Sequence, residues 1–394
     1  MNTIQKGITT LMASAVTGER RRLPEDFTLE AAMPIIKRQH LEPLIFQGAL
    51  NCGISEKEPV MGALMQKYLM YLLRSEKQMA AVQKLFAAFE ENGIDYLPLK
   101  GCNMKALYPK PELRVMGDAD ILIRIEQYDR IESVMLQLGY TMTRVGPCDH
   151  EWRCADLVAE LHRQLIPPAD HFLHVYFGNG WEKAIRGKGY RYHYSRENTF
   201  LYQFTHMTKH YQHDGIGSRH ILDLYVYLRA NPDMNTKYIE KEMEKLHLLL
   251  FYRNICRLLR VWFEDSETDA VTEYITAYVF SGGSWGTLEN GISTEAVMQS
   301  QKAGTTSHSQ LRTFIRMVFP SAKTMELKYP ILQKMPWSVP LVWIYRWFEV
   351  LLMRPKQIRR KLSVAVGMSD EKVEQRRQAL HYVGLDFGMD KEAE

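Results

Sequence analysis

The sequence predicts an α+β fold, with a small mixed-sheet core embedded in a mainly helical chain. Three observations carry this. Residues 61–91 are rich in Leu, Met, Ala, Lys and Gln, with apolar residues at helical spacing, and they stop at Asn92-Gly93. Residues 92–166 alternate short apolar runs, bounded by Gly93, Gly101 and Gly139, with helical stretches, which is the order of an α/β unit. From 198 onward the pattern returns to helix. At 394 residues and ~150 residues per domain, two or three structural units are expected. The divisions expected are a helical segment at 1–91, an α/β core at 92–166, a helical domain at 167–330, and an aromatic and basic helix with a polar tail at 331–394.

The elements follow in order. Ile4, Ile8, Leu11 and Met12 fit one helical face. The run 7–16 is interrupted by Thr9, Thr10 and Ser14, so it reads as helix and not as an export signal. A helix over 26–39 has Thr28 as its cap and Glu30 in its first turn. Residues 94–99 read as a buried strand and 103–107 as a short helix broken by Pro109 and Pro111. Residues 117–123 alternate carboxylates with apolar residues and end apolar, as a strand does. A helix over 126–138 stops at Gly139, and 140–145 and 157–162 are two more strands. After Pro167-Pro168 the clear helices are 198–213, 217–228 and 234–263. Residues 281–309, rich in Gly, Ser and Thr, read as a loop, and 335–361 as an aromatic helix with a basic end. No internal repeat is present.

Composition bounds the function. Hydrophobic residues make up 46% and charged residues 24%, ordinary for a globular chain. Lys plus Arg number 50 against 46 Asp plus Glu, for a net charge of +4. That does not indicate a nucleic-acid coat over the whole chain, so any basic function is local. The five cysteines are scattered, without Cys-x-x-Cys spacing, and suit a reducing cytoplasm better than a disulfide framework. The apolar stretch 335–353 contains Pro336, Pro340, Arg346 and Glu349. An arginine at a bilayer centre costs ~2.5 kcal/mol or more, so a membrane span is not expected. Trp337, Trp343, Tyr345, Trp347 and Phe348, followed by Arg354, Lys356, Arg359, Arg360 and Lys361, instead suit peripheral contact with an anionic membrane, or else cover the helical core.

Asp118 and Asp120 carry the chemistry. One residue apart on a strand, they share a face, and their like charges repel. A divalent cation relieves that repulsion, and carboxylate ligands suit Mg²⁺ or Mn²⁺ with nucleotide phosphates completing the shell. Glu160, a third acid within an apolar strand, reaches the same site if its strand is a neighbour. There it could bind an ion or deprotonate an acceptor hydroxyl. Upstream, Lys100-Gly101 joins a strand to a helix. Gly101 permits close backbone approach and the helix start offers free amides to phosphate, while Lys100 and Arg114 add positive charge. His206 with His210, and Arg219 with Asp223, are each four apart and so share helical faces. The expectation is that both pairs face the acids across a nucleotide cleft. For His206 and His210 the alternatives are a packed or hydrogen-bonded structural patch, or zinc; for Arg219 and Asp223 the alternative is a plain salt bridge. Ser281-Gly282-Gly283-Ser284 imitates a phosphate turn but has no Asp-x-Asp after it, and Trp152 suits a core position better than base stacking.

On these motifs the chain resembles the nucleotidyltransferase superfamily. More narrowly it is similar to an uncharacterised bacterial nucleotidyltransferase-like family built on Leu99-Lys100-Gly101, Tyr108-Pro109, Arg114, Gly117-Asp118-Ala119-Asp120 and Glu160-Leu161-His162. The similarity extends loosely to His206-x-x-Lys209-His210, to 219–223, to Tyr329-Pro330 and to the aromatic helix. Cys102 departs from the superfamily, which has Gly or Ser there. The resemblance implies transfer of an NMP from an NTP, such as ATP, to an acceptor, with release of pyrophosphate. Asp118, Asp120 and Glu160 would then hold the metal, with Gly101 and Lys100 at the phosphates. A toxin-like transferase acting on tRNA or protein, and a non-catalytic nucleotide-binding module, are the other readings.

Overall fold

The computed structural model describes residues 1–167, 171–284, 286–303, 315–316, 318–326, 329, 331–353, 363–364 and 367–385. Four helices open the chain: α1 (Thr3–Thr17), α2 (Leu29–Arg38), α3 (Glu42–Cys52) and α4 (Pro59–Glu91). Asn2 and Gln5 cap α1 reciprocally, and Thr28 caps α2. Ile8, Leu11 and Met12 are fully buried, so α1 is a central helix, packed on α3. The two approach so closely that a Cβ at Gly48 would stand 2.0 Å from the Leu11 carbonyl oxygen. α4 serves two cores. Its start buries Met61 and Leu64 among the helices, and its end buries Val82, Leu85 and Phe89 against the sheet.

The α/β core holds β1 (Tyr96–Pro98), α5 (Gly101–Lys105), β2 (Ala119–Ile123), α6 (Tyr128–Gln137), β3 (Thr141–Val145), β4 (Asp149–Arg153) and β5 (Val158–His162). The strand order is β1-β2-β5-β4-β3, with β2 and β5 parallel and the other pairs antiparallel. Period two gives the sheet two distinct faces. Ile121, Ile123, Leu161 and Trp152 pack on α4 and α6. Asp120, Leu122, Glu160 and His162 point to the other side. Trp152 is therefore a core residue, only 1% exposed. β4 escapes sequence pattern because Asp-His-Glu-Trp-Arg has only one large apolar residue, and strand pairing supplies the rest of its burial.

Beyond the sheet come α7 (His171–Phe177), a small hairpin of β6 (Ile185–Arg186) and β7 (Tyr192–His193), then α8 (Arg196–Gln212), α9 (Ser218–Ala230), α10 (Thr236–Lys245), α11 (Leu249–Phe263) and α12 (Ala270–Ser281). The helix expected over 234–263 is two helices. The chain turns at Leu246–Leu248, where His247 takes a positive φ of 54° and the Leu248 amide bonds back to the Met243 carbonyl. The apolar spacing runs through without a glycine, so the break is silent in sequence. The loop expected over 281–309 is also corrected, since α13 (Leu288–Ala303) occupies much of it. Ile292, Ala296 and Val297 bury against Met368 and Val373, so tertiary packing overrides weak propensity. The expected aromatic helix is a 3-10 turn (Pro336–Ser338) followed by α14 (Val339–Met353). Its basic end, Arg354 to Lys361, lies outside the described residues, as does most of the polar tail. α15 (Asp370–Tyr382) precedes that tail and carries no strong apolar stripe to announce it. Among the described residues no helix is long and apolar enough to cross a membrane.

α1 to α3 share one core with α8, α9 and α11. Buried Gln39 ties this bundle together. Its amide donates to the Val279 carbonyl at 2.8 Å, and its oxygen accepts from the Ser218 amide at 2.9 Å and the Ser218 hydroxyl at 2.6 Å. The Gly282 carbonyl, in the glycine-serine turn, accepts from Gln39 and from Arg38. That turn is a structural clasp that fixes the start of α9. Gln39→Leu should lower stability to urea by about 2–4 kcal/mol, because it strands at least two buried backbone groups. A loss under about 1 kcal/mol would mean that water replaces the clasp.

Candidate functional site

The buried carboxylate of Asp120 is the centre of the polar face. Its side chain is 4% exposed and lies in β2 in register with Glu160 of parallel β5. Lys100 Nζ stands 3.0 Å from Asp120 Oδ1, and His162 Nε2 donates to the same oxygen at 3.1 Å. Burial pushes Asp120 toward protonation, but the Lys100 ammonium and the His162 hydrogen bond outweigh it and hold the carboxyl well below the usual range. Asp118 sits one residue before β2 and not within the strand as expected; pairing starts at Ala119, opposite Ala159. It still lines the same cleft as Asp120. Burial, and then the charge of Asp120, push Asp118 above its ordinary range.

Glu160 is also pushed up, first by burial and then by Asp118 and Asp120. Arg144 of β3 reaches across β4 to Glu160 at 2.9 Å and to Asp149 at 2.5 Å. Ligand atoms of Asp120, Glu160 and His162 lie within 4.8 Å of one another, the spacing of a cation site. Asp118 is outside that trio. His162, absent from the expected site residues, joins this group, and the sequence carries a signal for it. In Glu160-Leu161-His162 the strand period places the imidazole on the face of the carboxylate. Its Nδ1 is buried without a hydrogen-bond partner.

Lys100 ends the β1 segment, and Gly101 turns the chain into α5 at φ 32°. A Cβ at Gly101 would stand 3.0 Å from the Asp118 carbonyl oxygen, so the turn packs directly on the acid-bearing segment. Lys100 also donates to His206 Nε2 at 2.9 Å. An ammonium donor requires a neutral acceptor there, and burial followed by Lys100 keeps His206 well below its ordinary pKa. His210 packs on His206 with ring centroids 4.5 Å apart and is pushed down to about 4, mainly by burial. His210 thus sits behind His206, while His206, Arg219, His220 and Asp223 line the cleft. Zinc at His206 and His210 finds no support, since Lys100 holds the His206 nitrogen. Burial pushes the Cys102 thiol up to about 11, with Asp120 adding to it, so it stays protonated at neutral pH and is no nucleophile.

The far wall is a second buried ion pair. Arg114 grips Asp223 through Nε and Nη2, each at 2.9 Å, and donates through Nη1 to the Gly101 carbonyl. Asp223 also accepts from the Tyr108 hydroxyl at 2.7 Å. Arg219 donates to the Val115 carbonyl at 2.9 Å. Each nitrogen of Arg114 thus has a protein acceptor, and the pair welds α9 to the Gly101 turn. Tyr108 was not singled out from sequence as part of this wall; only the site's geometry reveals it. Asp223→Ala should destabilise the fold by about 3–5 kcal/mol, because it strands a buried guanidinium. Urea unfolding checks this, and a loss below about 1 kcal/mol would contradict the role.

These features occupy one stretch of chain. A family model described as uncharacterised nucleotidyltransferase matches residues 25–264, which include α2 to α11 and every residue of the cleft named above. No curated protein and no solved structure matches the chain. With more than half its length matched, the chain belongs to the uncharacterised nucleotidyltransferase family.

Proposed function

We propose that the protein transfers an NMP from an NTP to an acceptor in a reaction dependent on Mg²⁺ or Mn²⁺. The observation that carries this reading is the buried Asp120 carboxylate, in register with Glu160 and beside Asp118, with a lysine ammonium as its counter-ion. The donors suit a divalent cation. Burial makes Asp118 and Glu160 resist ionisation, and the charge of Asp120 adds to it, while His162 Nε2 stands between the carboxylates of Asp120 and Glu160. Asp118 and Asp120, with His162, would hold the ion. When bound, it neutralises the phosphates and the charge that develops on them.

The chain's own groups do the rest. Lys100 has two acceptors, Asp120 and His206. It can therefore leave Asp120, keep His206, and turn its charge toward the β and γ phosphates. Glu160, made more basic by its surroundings, takes the acceptor's proton. The acceptor oxygen attacks the α-phosphorus, the bond to the bridging oxygen breaks, and pyrophosphate leaves. Arg114 and Asp223, saturated by each other, position the Gly101 turn. Arg219 and His220 complete the wall, with His206 and His210 as neutral groups beneath Lys100. The open cleft holds about 70 Å³, far below the ~300–1,000 Å³ of a pocket that encloses a small-molecule ligand. The phosphate end would enter it, with the sugar and base at the mouth.

Incubation with each α-labelled NTP and Mg²⁺, with and without cell extract, should yield a labelled acceptor and pyrophosphate. Asp120→Asn should abolish both products. Glu160→Gln should keep nucleotide affinity while lowering turnover about 10²–10⁴-fold, the span of a lost general base. Because Glu160 is pushed up, the acidic limb of turnover should lie above the ordinary glutamate range and vanish in Glu160→Gln. Loss of nucleotide affinity in Glu160→Gln as complete as in Asp120→Asn would make Glu160 a ligand of the first ion and not the base.

A further inference from the structure

The 3-10 turn at Pro336–Ser338 and the first part of α14 present a bare face. Trp337, Leu341, Ile344, Tyr345 and Phe348 are 69, 60, 47, 63 and 64% exposed. Their spacing of four, three, one and three residues makes one continuous helical stripe, and it contains no charged side chain. The opposite side is firmly seated. Val342 is buried, the indoles of Trp343 and Trp347 each donate at 2.9 Å to the carbonyls of Pro320 and Val318, and Glu349 accepts from the Tyr329 hydroxyl at 2.6 Å. The helix is thus held in place by one face while it presents the other. Five contiguous large apolar side chains at these exposures are costly in water.

The sequence beside the stripe decides its occupant. Arg354, Lys356, Arg359, Arg360 and Lys361 follow, and no acid stands between Glu349 and Asp370. The fifteen described residues of α14 span about 22 Å, short of the ~30 Å of a bilayer core, and Arg354, Pro355 and Lys356 follow at once in the sequence, so this apolar run does not suit a crossing. Trp337 and Tyr345 have apolar bodies and polar tips, the chemistry of a membrane–water interface. We propose that this face lies in the interfacial layer of an anionic membrane, with the basic run drawn to the lipid headgroups. Enzymes that act at such a surface meet acceptors concentrated there, so the site would work beside lipid-borne or membrane-delivered molecules. The inference stands apart from the cleft chemistry and survives or fails without it.

The test is co-sedimentation of the full chain with vesicles of equal parts phosphatidylcholine and phosphatidylserine, and with pure phosphatidylcholine. The wild type should sediment with the anionic vesicles, weakly with the neutral ones, and less as salt is raised. Tyr345→Glu with Phe348→Glu should lower binding about tenfold or more, with unchanged circular dichroism and Tm because both side chains are exposed. Failure of the wild type to sediment, equal binding by the variant, or equal binding to neutral vesicles would overturn the proposal. So would a fall in mass by light scattering in the variant, which would assign the stripe to a second copy. A fall in Tm would assign it to a contact within the chain.

Discussion

The structure turns on a carboxylate buried where water cannot solvate it. Asp120 is almost wholly enclosed, yet it is held ionised, and two elements are arranged to make that possible. Lys100 comes from the end of the β1 segment and His162 from β5. An isolated buried charge would cost several kcal/mol. The sheet order places β5 beside β2, so the imidazole and Glu160 arrive in register without any loop having to carry them. The same burial that makes Asp120 expensive makes its neighbours reluctant to ionise. A site in that condition is poised to accept positive charge, and a single lysine supplies part of it.

The helical layers serve this arrangement. α4 bridges the helical core and the sheet, so the two cannot shift independently. Gln39 fixes the start of α9, and Arg114 with Asp223 fixes the next turn of α9 to the Gly101 bend. The cleft wall is therefore set by two buried polar clasps about one helical turn apart, and both are satisfied on all sides that hydrogen bonds define. Charged groups in such numbers would be costly in an ordinary core. Here they are distributed so that each finds a partner, and the remaining demand for charge is concentrated at Asp118, Asp120 and Glu160.

Much of this was legible in sequence because it depends on short-range periodicity. Asp-x-Asp and Glu-x-His declare their shared faces through period two, and Gly101 declares its turn. The helices α1, α2, α4, α8 and α9 follow from apolar spacing, with Thr28 capping α2 and Asn92-Gly93 ending α4. What sequence hid depends on contacts between distant segments. β4 is polar and becomes a strand only because β3 and β5 flank it. α13 lacks propensity and is held by Met368 and Val373. The break at His247 carries no glycine. Arg114 and Asp223 stand 109 residues apart, so Asp223 reads as a partner for Arg219, its helical neighbour, until the fold places Arg114 across from it. His162 follows from the same period-two argument, since it stands two residues after Glu160 on β5.

The central claim is that Asp120 and its neighbours form a divalent cation site whose place is kept by Lys100. The most direct measurement is anomalous diffraction from crystals grown with Mn²⁺ and a nonhydrolysable NTP. The account predicts a manganese peak about 2.1 Å from carboxylate oxygens of Asp118 and Asp120, with Lys100 withdrawn from Asp120 toward the phosphates. A nucleotide bound with no manganese at these carboxylates, and Lys100 still on Asp120, would contradict it.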